Sequence, residues 1–174
     1  MKQIIPLPLY ERKQVGTLYH YTSILSLLKI LDSNILGDES LGKHARVSLT
    51  RDKNFHKRTK IVPTECKIYI DGEKLSDNYK ITPYQWNASH FSGGKATKNG
   101  IIEDQMEEEV QGYVKGVIDY IQKIEIFELE LDPLPFDDDF QEVACGILKM
   151  DKEDISSQDI IDFIKSHVDD VTVV

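Results

Sequence analysis

The chain has 174 residues, of which 30 are acidic and 21 are Lys or Arg, so its formal net charge is -9 at pH 7. This length supports one hydrophobic core, and the 40% hydrophobic content is that of a globular protein rather than a disordered or membrane-spanning one. The negative charge argues against non-specific nucleic-acid binding, which depends on Lys and Arg. The opening stretch MKQIIPLPLYERK contains two prolines and only a short apolar run. We therefore expect no signal peptide, no membrane contact and a cytoplasmic location.

The basic residues are unevenly distributed along the chain. Residues 42–60, GKHARVSLTRDKNFHKRTK, are rich in Lys and Arg and include one acid, whereas EDQMEEEV and DPLPFDDDF are acidic. One face of the molecule can therefore be positive and able to receive an anion such as a pyrophosphate. A solvated basic loop is the alternative interpretation.

Several familiar site patterns are absent from the sequence. Cys66 and Cys145 are far apart, and neither has a CxxC partner or a His at ligand spacing. We expect two buried thiols, with no disulfide framework and no metal site. The chain also lacks GxxxxGK[ST] and a strand-borne GxGxxG, which excludes a P-loop and a Rossmann dinucleotide site.

The stretch GTLYHYTS predicts a strand that ends near His20 and leads directly into a helix. Thr22 or Ser23 is a suitable N-cap, and Asn34 and Gly37 are suitable for ending the helix. The apolar residues after the cap recur at helical spacing, at Ile24, Leu27, Leu28 and Leu31. A buried strand end normally has apolar side chains, so the His20 ring must either be satisfied internally or face a ligand.

Residues 45–50, ARVSLT, alternate between apolar and polar side chains, as a half-buried strand does. Val47 and Leu49 form the apolar face. The opposite face is polar and includes two hydroxyl groups, from Ser48 and Thr50.

Shorter patterns follow in the middle of the chain. Residues 67–71 predict a strand that ends in an Asp-Gly turn, and a short extended segment closes at Pro83. Residues 87–100, NASHFSGGKATKNG, have no periodicity and predict a mobile surface loop.

The last third of the chain predicts both helices and strands. A short helix is expected over residues 117–122, followed by a strand over 124–131, where apolar residues alternate with glutamates. FQEVACGILK and SSQDIIDFIKSH predict two helices, the second capped by Ser156 or Ser157, and VTVV predicts a terminal strand. Short strands with small helices between them favour the α+β class.

Three segments need a joint explanation: LYHYTS, VSLTRD and, beyond the Gly-rich loop, DQMEEE with its Gln105-Met106-Glu107 triplet. Taken singly, they are explained as a core histidine, cross-strand hydroxyls and a solvated acidic surface. In this order they resemble the NAD-dependent mono-ADP-ribosyltransferases, a family that includes bacterial toxins, DNA-targeting toxin transferases and phage-encoded members. The resemblance covers residues 16–131 and implies a split mixed β-sheet with small helices around a nicotinamide crevice.

The resemblance implies roles for individual residues. The cofactor-binding positions that it implies for NAD are His20, Tyr21, Thr22, Ser48, Thr50 and Arg51. His20 would hydrogen-bond the nicotinamide ribose, Tyr19 or Tyr21 would stack on the nicotinamide ring, and Arg51 would lie near the phosphates.

The same resemblance implies that Glu107 is the catalytic carboxylate and that Gln105 orients the acceptor. A carboxylate near the ribose stabilises the positive charge that develops when the bond to nicotinamide breaks. We expect Glu107 to lie on an exposed loop. An alternative register makes Glu109 catalytic with Glu107 as its partner, a Glu-x-Glu motif with a different implied acceptor.

On this interpretation residues 1–132 form the transferase-like domain, and residues 133–174 form a C-terminal helical extension packed on it. NAD is the substrate, and the acceptor is a macromolecule, a protein rather than a nucleic acid. Two other functions are open. One is an inactive member of the fold that acts as a binding module or inhibitor through its acidic surface. The other is a 2'-phosphotransferase that moves an RNA phosphate to NAD, which is expected to have more basic residues than Arg46 and Arg51.

Overall fold

The computed structural model describes residues 16–58, 65–83, 107–127 and 138–174. These residues form the strands β1 (Thr17–Thr22), β2 (Ile35–Leu36), β3 (Arg46–Thr50), β4 (Cys66–Asp71), β5 (Ile81–Pro83), β6 (Glu107–Gln111), β7 (Val114–Lys115), β8 (Ile121–Ile126) and β9 (Val171–Val173). They also form the α-helices α1 (Ile24–Ser33), α2 (Phe55–Arg58), α3 (Gly72–Asn78), α4 (Asp138–Leu148) and α5 (Ser157–His167). Short 3₁₀ helices lie at Glu39–His44, Val117–Tyr120 and Lys152–Asp154.

Seven of the described strands form one sheet in the order β5-β6-β3-β1-β4-β8-β9, and β2 pairs with β7 separately. The neighbouring strands of this sheet run antiparallel, except that β8 and β9 are parallel. A mixed, mostly antiparallel sheet with a few helices confirms the α+β class.

The two faces of the large sheet differ in chemistry. Opposite residues of antiparallel strands project to the same face, so the register sorts the side chains of β1, β3, β4 and β8. One face, the core face, has the buried side chains of Leu18, Leu49, Ile68 and Ile124. The other, the polar face, has Tyr19, Thr50, Lys67, Tyr69 and Glu125. The apolar side chains of α1 belong to the same core cluster as the core face.

The C-terminal segment shares this core. Ala144 of α4 and both Ile160 and Ile164 of α5 are 0% exposed and join the core cluster. Helices α4 and α5 contact each other and α1, and β9 extends the sheet beside β8. Residues 138–174 therefore cover and extend the structure that the earlier residues form.

The junction of β1 and α1 is as predicted. The Ser23 side chain caps the helix by accepting a hydrogen bond from the Ser26 N–H at 3.1 Å. The helix ends at Asn34, which has the left-handed φ of 54° that a C-cap requires. Farther along, Val47 and Leu49 are buried in β3, also as predicted.

Three local predictions are wrong. Asp71 does not begin a simple turn, because its side chain accepts from the Lys74 N–H at 3.0 Å and caps α3. The predicted helix at 117–122 is a 3₁₀ helix that ends at Tyr120, so the next strand starts at Ile121. Glu107 is the first residue of β6 and not part of a loop, because β6 pairs with β3. Tertiary pairing decides each of the last two boundaries.

Some predictions fall on residues that the structure does not describe. They concern the Gly-rich loop at 87–100, Gln105 and the end of the predicted strand, at 128–131. Among the residues that are described, no helix is both long and apolar enough to cross a lipid bilayer.

Candidate functional site

The large sheet opens between β1 and β3. In the described part of the chain these strands pair at Tyr19 and Thr50 alone, whereas β4 pairs along the whole of β1. On the C-terminal side of Tyr19, the His20 Nδ1 lies 3.0 Å from the Ser48 carbonyl oxygen. A side chain therefore bridges the two strands at the position where they separate.

A partly open cavity of about 100 Å³ lies at this opening. It is lined by Tyr19, His20, Tyr21, Ser48, Leu49, Thr50 and Phe55. The predicted residues His20, Tyr21, Ser48 and Thr50 come from two motifs that are separate in the sequence, and both motifs line this one cavity. An apolar cavity of roughly 150 Å³ can hold a benzene molecule. The cavity is thus on the scale of one planar ring and not of a whole dinucleotide.

The surroundings of His20 favour its neutral form. Burial lowers the pKa of His20 below its usual range, although the hydrogen bond to the Ser48 carbonyl opposes this effect. A carbonyl oxygen only accepts, so Nδ1 has the proton and donates it to Ser48. Nε2 then keeps a lone pair and can accept a hydrogen bond from a ligand hydroxyl. The His20 ring is therefore held at Nδ1 by the backbone, and Nε2 is its acceptor nitrogen.

Residues 51–58, which we call the cavity loop, leave β3 through two successive side-chain-to-backbone turns. The Thr50 Oγ1 accepts a hydrogen bond from the Asp52 N–H at 3.0 Å, and the Asp52 carboxylate accepts from the Asn54 N–H at 2.9 Å. Such short polar side chains commonly shape turns in this way. The turns lead directly into α2 and bring its first residue, Phe55, to the cavity.

Tyr21 and Phe55 form an aromatic wall of the cavity. Their ring centroids are 5.6 Å apart, with the planes tilted by 41°. The Tyr21 hydroxyl donates to the Lys53 carbonyl at 2.7 Å, and burial raises the pKa of Tyr21 well above its usual range, so the phenol keeps its proton. Sequence reasoning missed Phe55, and the available signal was an apolar aromatic residue inside an otherwise basic run.

Strand β6 brings the acidic motif next to the hydroxyl motif. Glu107 is opposite Thr50 in the register, and Glu109 is opposite Ser48. Glu109 therefore shares the polar face with Ser48, which lines the cavity. Glu108 alternates to the core face and is 0% exposed.

Two arginines form ion pairs with this acidic run. Arg46 Nε lies 2.9 Å from a Glu109 carboxylate oxygen, and Arg51 Nε lies 3.0 Å from a Glu108 carboxylate oxygen. The Glu109 carboxylate is thus engaged with Arg46 on the side away from the cavity loop. Arg51, predicted to lie near phosphates, is half-exposed beside the site and does not line the cavity.

Another predicted residue, Thr22, does not line the cavity. Thr22 ends β1 opposite Cys66 and is 7% exposed. Gln105 lies outside the described residues. Within the ranges that are described, no cluster of three or more His, Cys, Asp or Glu side chains could hold a metal ion.

Comparisons of the chain with protein-family models, curated proteins and solved structures find no match. Function is therefore inferred from the cavity itself: three aromatic rings, one neutral imidazole and the hydroxyl-bearing residues Ser48 and Thr50. These groups suit a flat ring that is attached to a hydroxyl-bearing unit.

Proposed function

We propose that this protein is an NAD-dependent mono-ADP-ribosyltransferase with a split mixed β-sheet, which moves ADP-ribose from NAD to a macromolecular acceptor. The observation that supports this most directly is that two motifs distant in the sequence line one cavity and that a third begins on the adjacent strand β6. His20, Ser48 and Thr50 line one ring-sized cavity, and the Glu107 position is opposite Thr50 on the next strand. The opening of the sheet between β1 and β3 is consistent with a crevice at that place.

The cavity is proposed to bind the nicotinamide ring of NAD. Tyr21 and Phe55 supply flat aromatic surface against which a planar ring packs well. Neutral His20 accepts a hydrogen bond from a ribose hydroxyl at Nε2, while its Nδ1 donates a hydrogen bond to the Ser48 carbonyl. The rest of the dinucleotide extends outside the cavity, towards the basic cavity loop and Arg51.

The proposed reaction exchanges one bond at the ribose C1' atom. The bond from C1' to the nicotinamide nitrogen breaks, and nicotinamide leaves as a neutral molecule with the bonding electron pair. The Glu107 carboxylate stabilises the positive charge left on the ribose. A nucleophile of the acceptor, oriented by Gln105, forms the new bond to C1' and releases its proton to solvent. The net charge of -9 favours a protein acceptor over a nucleic acid.

The first test is transfer of label from NAD to a macromolecule. Purified protein is incubated with labelled NAD and a cell lysate, and protein products are separated from nucleic-acid products. We expect the wild type to label a macromolecule, and Glu107→Gln to lower the rate by at least about a hundredfold, because it removes the charge that stabilises the transition state.

Glu109→Gln is the matched variant, since it removes a carboxylate two residues away that is paired with Arg46. Retained transfer in Glu109→Gln supports Glu107 as the catalytic residue. Loss in Glu109→Gln with transfer retained in Glu107→Gln moves the catalytic role to Glu109. Absence of both transfer and NAD binding in the wild type contradicts the proposal and favours the inactive binding module.

A further inference from the structure

Lys67 of β4 is a buried lysine beside the cavity. It is 5% exposed, and its register position is opposite Tyr21 on the polar face. A buried ammonium group is costly unless other groups compensate its charge. The groups that surround Lys67 are therefore informative about its role.

The first compensating group is Glu125 of β8. Lys67 Nζ lies 2.6 Å from one carboxylate oxygen of Glu125, and Lys123 Nζ lies 3.3 Å from the other. Burial of Glu125 opposes ionisation, but hydrogen bonds from Lys67, Tyr69 and Lys123 outweigh it and lower the pKa of Glu125 to about 2. The Glu125 carboxylate that faces Lys67 is thus ionised at neutral pH.

Other contacts of Lys67 reach two walls of the cavity, and its Nζ also lies 5.4 Å from the centroid of the Phe127 ring. Its Nζ is 5.7 Å from the centroid of the Tyr19 ring, which belongs to the β1 wall, and 4.7 Å from the Tyr69 ring. Tyr69 packs edge-on against Tyr19 with centroids 5.1 Å apart. The same Nζ is 3.4 Å from the Lys53 carbonyl oxygen, which also accepts the Tyr21 hydroxyl. One ammonium group therefore contacts both β1 and the cavity loop.

We propose that Lys67 is a positioning residue that holds the cavity loop against β1 and so sets the shape of the ligand cavity. Movement of the loop would take the Lys53 carbonyl dipole away from the buried Lys67 ammonium. The ammonium, which the ion pair with Glu125 keeps in place, therefore favours the arrangement in which the loop lies against β1. Lys67 does not line the cavity and acts through Tyr19, Tyr21 and the loop. The consequence for ligand binding rests on the proposed function, whereas the effect of Lys67 on the position of the loop does not.

Amide hydrogen exchange of the cavity loop tests whether Lys67 holds the loop in place. We expect Lys67→Met to speed exchange in residues 51–58 by at least about tenfold, with little change in β1. Lys67→Met/Glu125→Gln removes both charges and keeps the test valid if a lone Glu125 carboxylate unfolds the chain. Lys67→Arg, which retains the positive charge, is expected to restore most of the protection.

Lys74→Met is the matched control. Lys74 also contacts a backbone carbonyl, that of Asp119 at 2.7 Å, and an aromatic ring, that of Tyr120 with its centroid at 5.7 Å, but it is exposed and does not line the cavity. It should leave loop exchange unchanged. Calorimetric titration with NAD then measures the consequence, which we expect to be roughly tenfold weaker binding in Lys67→Met and Lys67→Met/Glu125→Gln, but not in Lys67→Arg or Lys74→Met.

The outcomes separate the two proposals. Faster loop exchange and weaker NAD binding in Lys67→Met and Lys67→Met/Glu125→Gln, with Lys67→Arg and Lys74→Met close to the wild type, support the positioning role. Unchanged loop exchange overturns it, whatever happens to NAD binding. If the wild type binds no NAD, the proposed function fails, and the exchange data still decide whether Lys67 holds the loop in place.

Discussion

At the scale of single residues, the structural contact of His20 fixes which of its nitrogens donates. Its Nδ1 donates to the Ser48 carbonyl and joins two separating strands, which leaves Nε2 as the acceptor. One donor and one acceptor nitrogen are present only in the neutral ring, since an imidazolium donates from both nitrogens. The protonation state of His20 should therefore affect both folding and ligand binding.

The direction of the pH effect follows from the lowered pKa of His20. The unfolded chain protonates this residue at about pH 6.5, whereas the folded chain does so only at lower pH. As the pH falls between these values the unfolded state binds more protons, so the free energy of unfolding decreases, with a limit for one proton of about 1.4 kcal/mol per pH unit. Urea denaturation at pH 7.5 and 5.5 should show a larger loss for the wild type than for His20→Gln. Equal losses would contradict the prediction.

The sequence contained enough information to select His20, Ser48 and Thr50, because each lies in a short strand motif with an unusual polar residue. It could not select Phe55 or Lys67. Phe55 reaches the cavity through turns made by the Thr50 and Asp52 side chains, and Lys67 contacts the cavity walls from the neighbouring strand β4, which has no motif of its own. Their roles depend on contacts between distant segments.

At the scale of elements, the junction of β1 and α1 positions the site, because His20 and Tyr21 lie among the last three residues of β1, just before the helix begins. Ser23 caps α1 through the Ser26 N–H, and the Glu65 carboxylate accepts from the Ile24 N–H at 2.9 Å. A carboxylate at a helix N-terminus is favourable because the helix dipole is positive there. The local cap was predictable, and the Glu65 contact was not, since it comes from the start of another strand.

Replacing the cap tests this element. Ser23→Ala should lower the free energy of unfolding by about 1 kcal/mol, because one N–H at the start of α1 loses its partner. Ser76→Ala is a suitable control, since Ser76 only donates to the Glu73 carbonyl within α3 and should change stability by less than about 0.5 kcal/mol. Urea denaturation followed by circular dichroism measures both. Equal effects in the two variants would show that the cap contributes little.

At the scale of the whole molecule, one core supports the cavity and the C-terminal segment together. Helices α4 and α5 pack on α1, and β9 pairs with β8, which also supplies Glu125 to Lys67. The segment after residue 137 is therefore coupled to the sheet that forms the site.

A core substitution in α5 measures this coupling. Ile164 is 0% exposed, so Ile164→Ala should lower the free energy of unfolding by about 2–5 kcal/mol through lost burial and a cavity. Val173→Ala, at a side chain that is 46% exposed, should cost less than about 0.5 kcal/mol. Unfolding followed by far-UV and near-UV circular dichroism should give a single coincident transition. Two separate transitions would mean that the C-terminal segment folds independently.

The sequence by itself determined the α+β class, the strand and helix at the start of the described chain, the cap at Ser23 and the motif residues His20, Ser48 and Thr50. These depend on periodicity and on contacts between near neighbours, which a linear pattern records. Only the tertiary structure decided that β3 and β6 are neighbours, that Glu107 begins a strand opposite Thr50, and that Phe55 joins the cavity. Strand order and register are set by which surfaces bury best against one another, and that is a property of the folded chain as a whole.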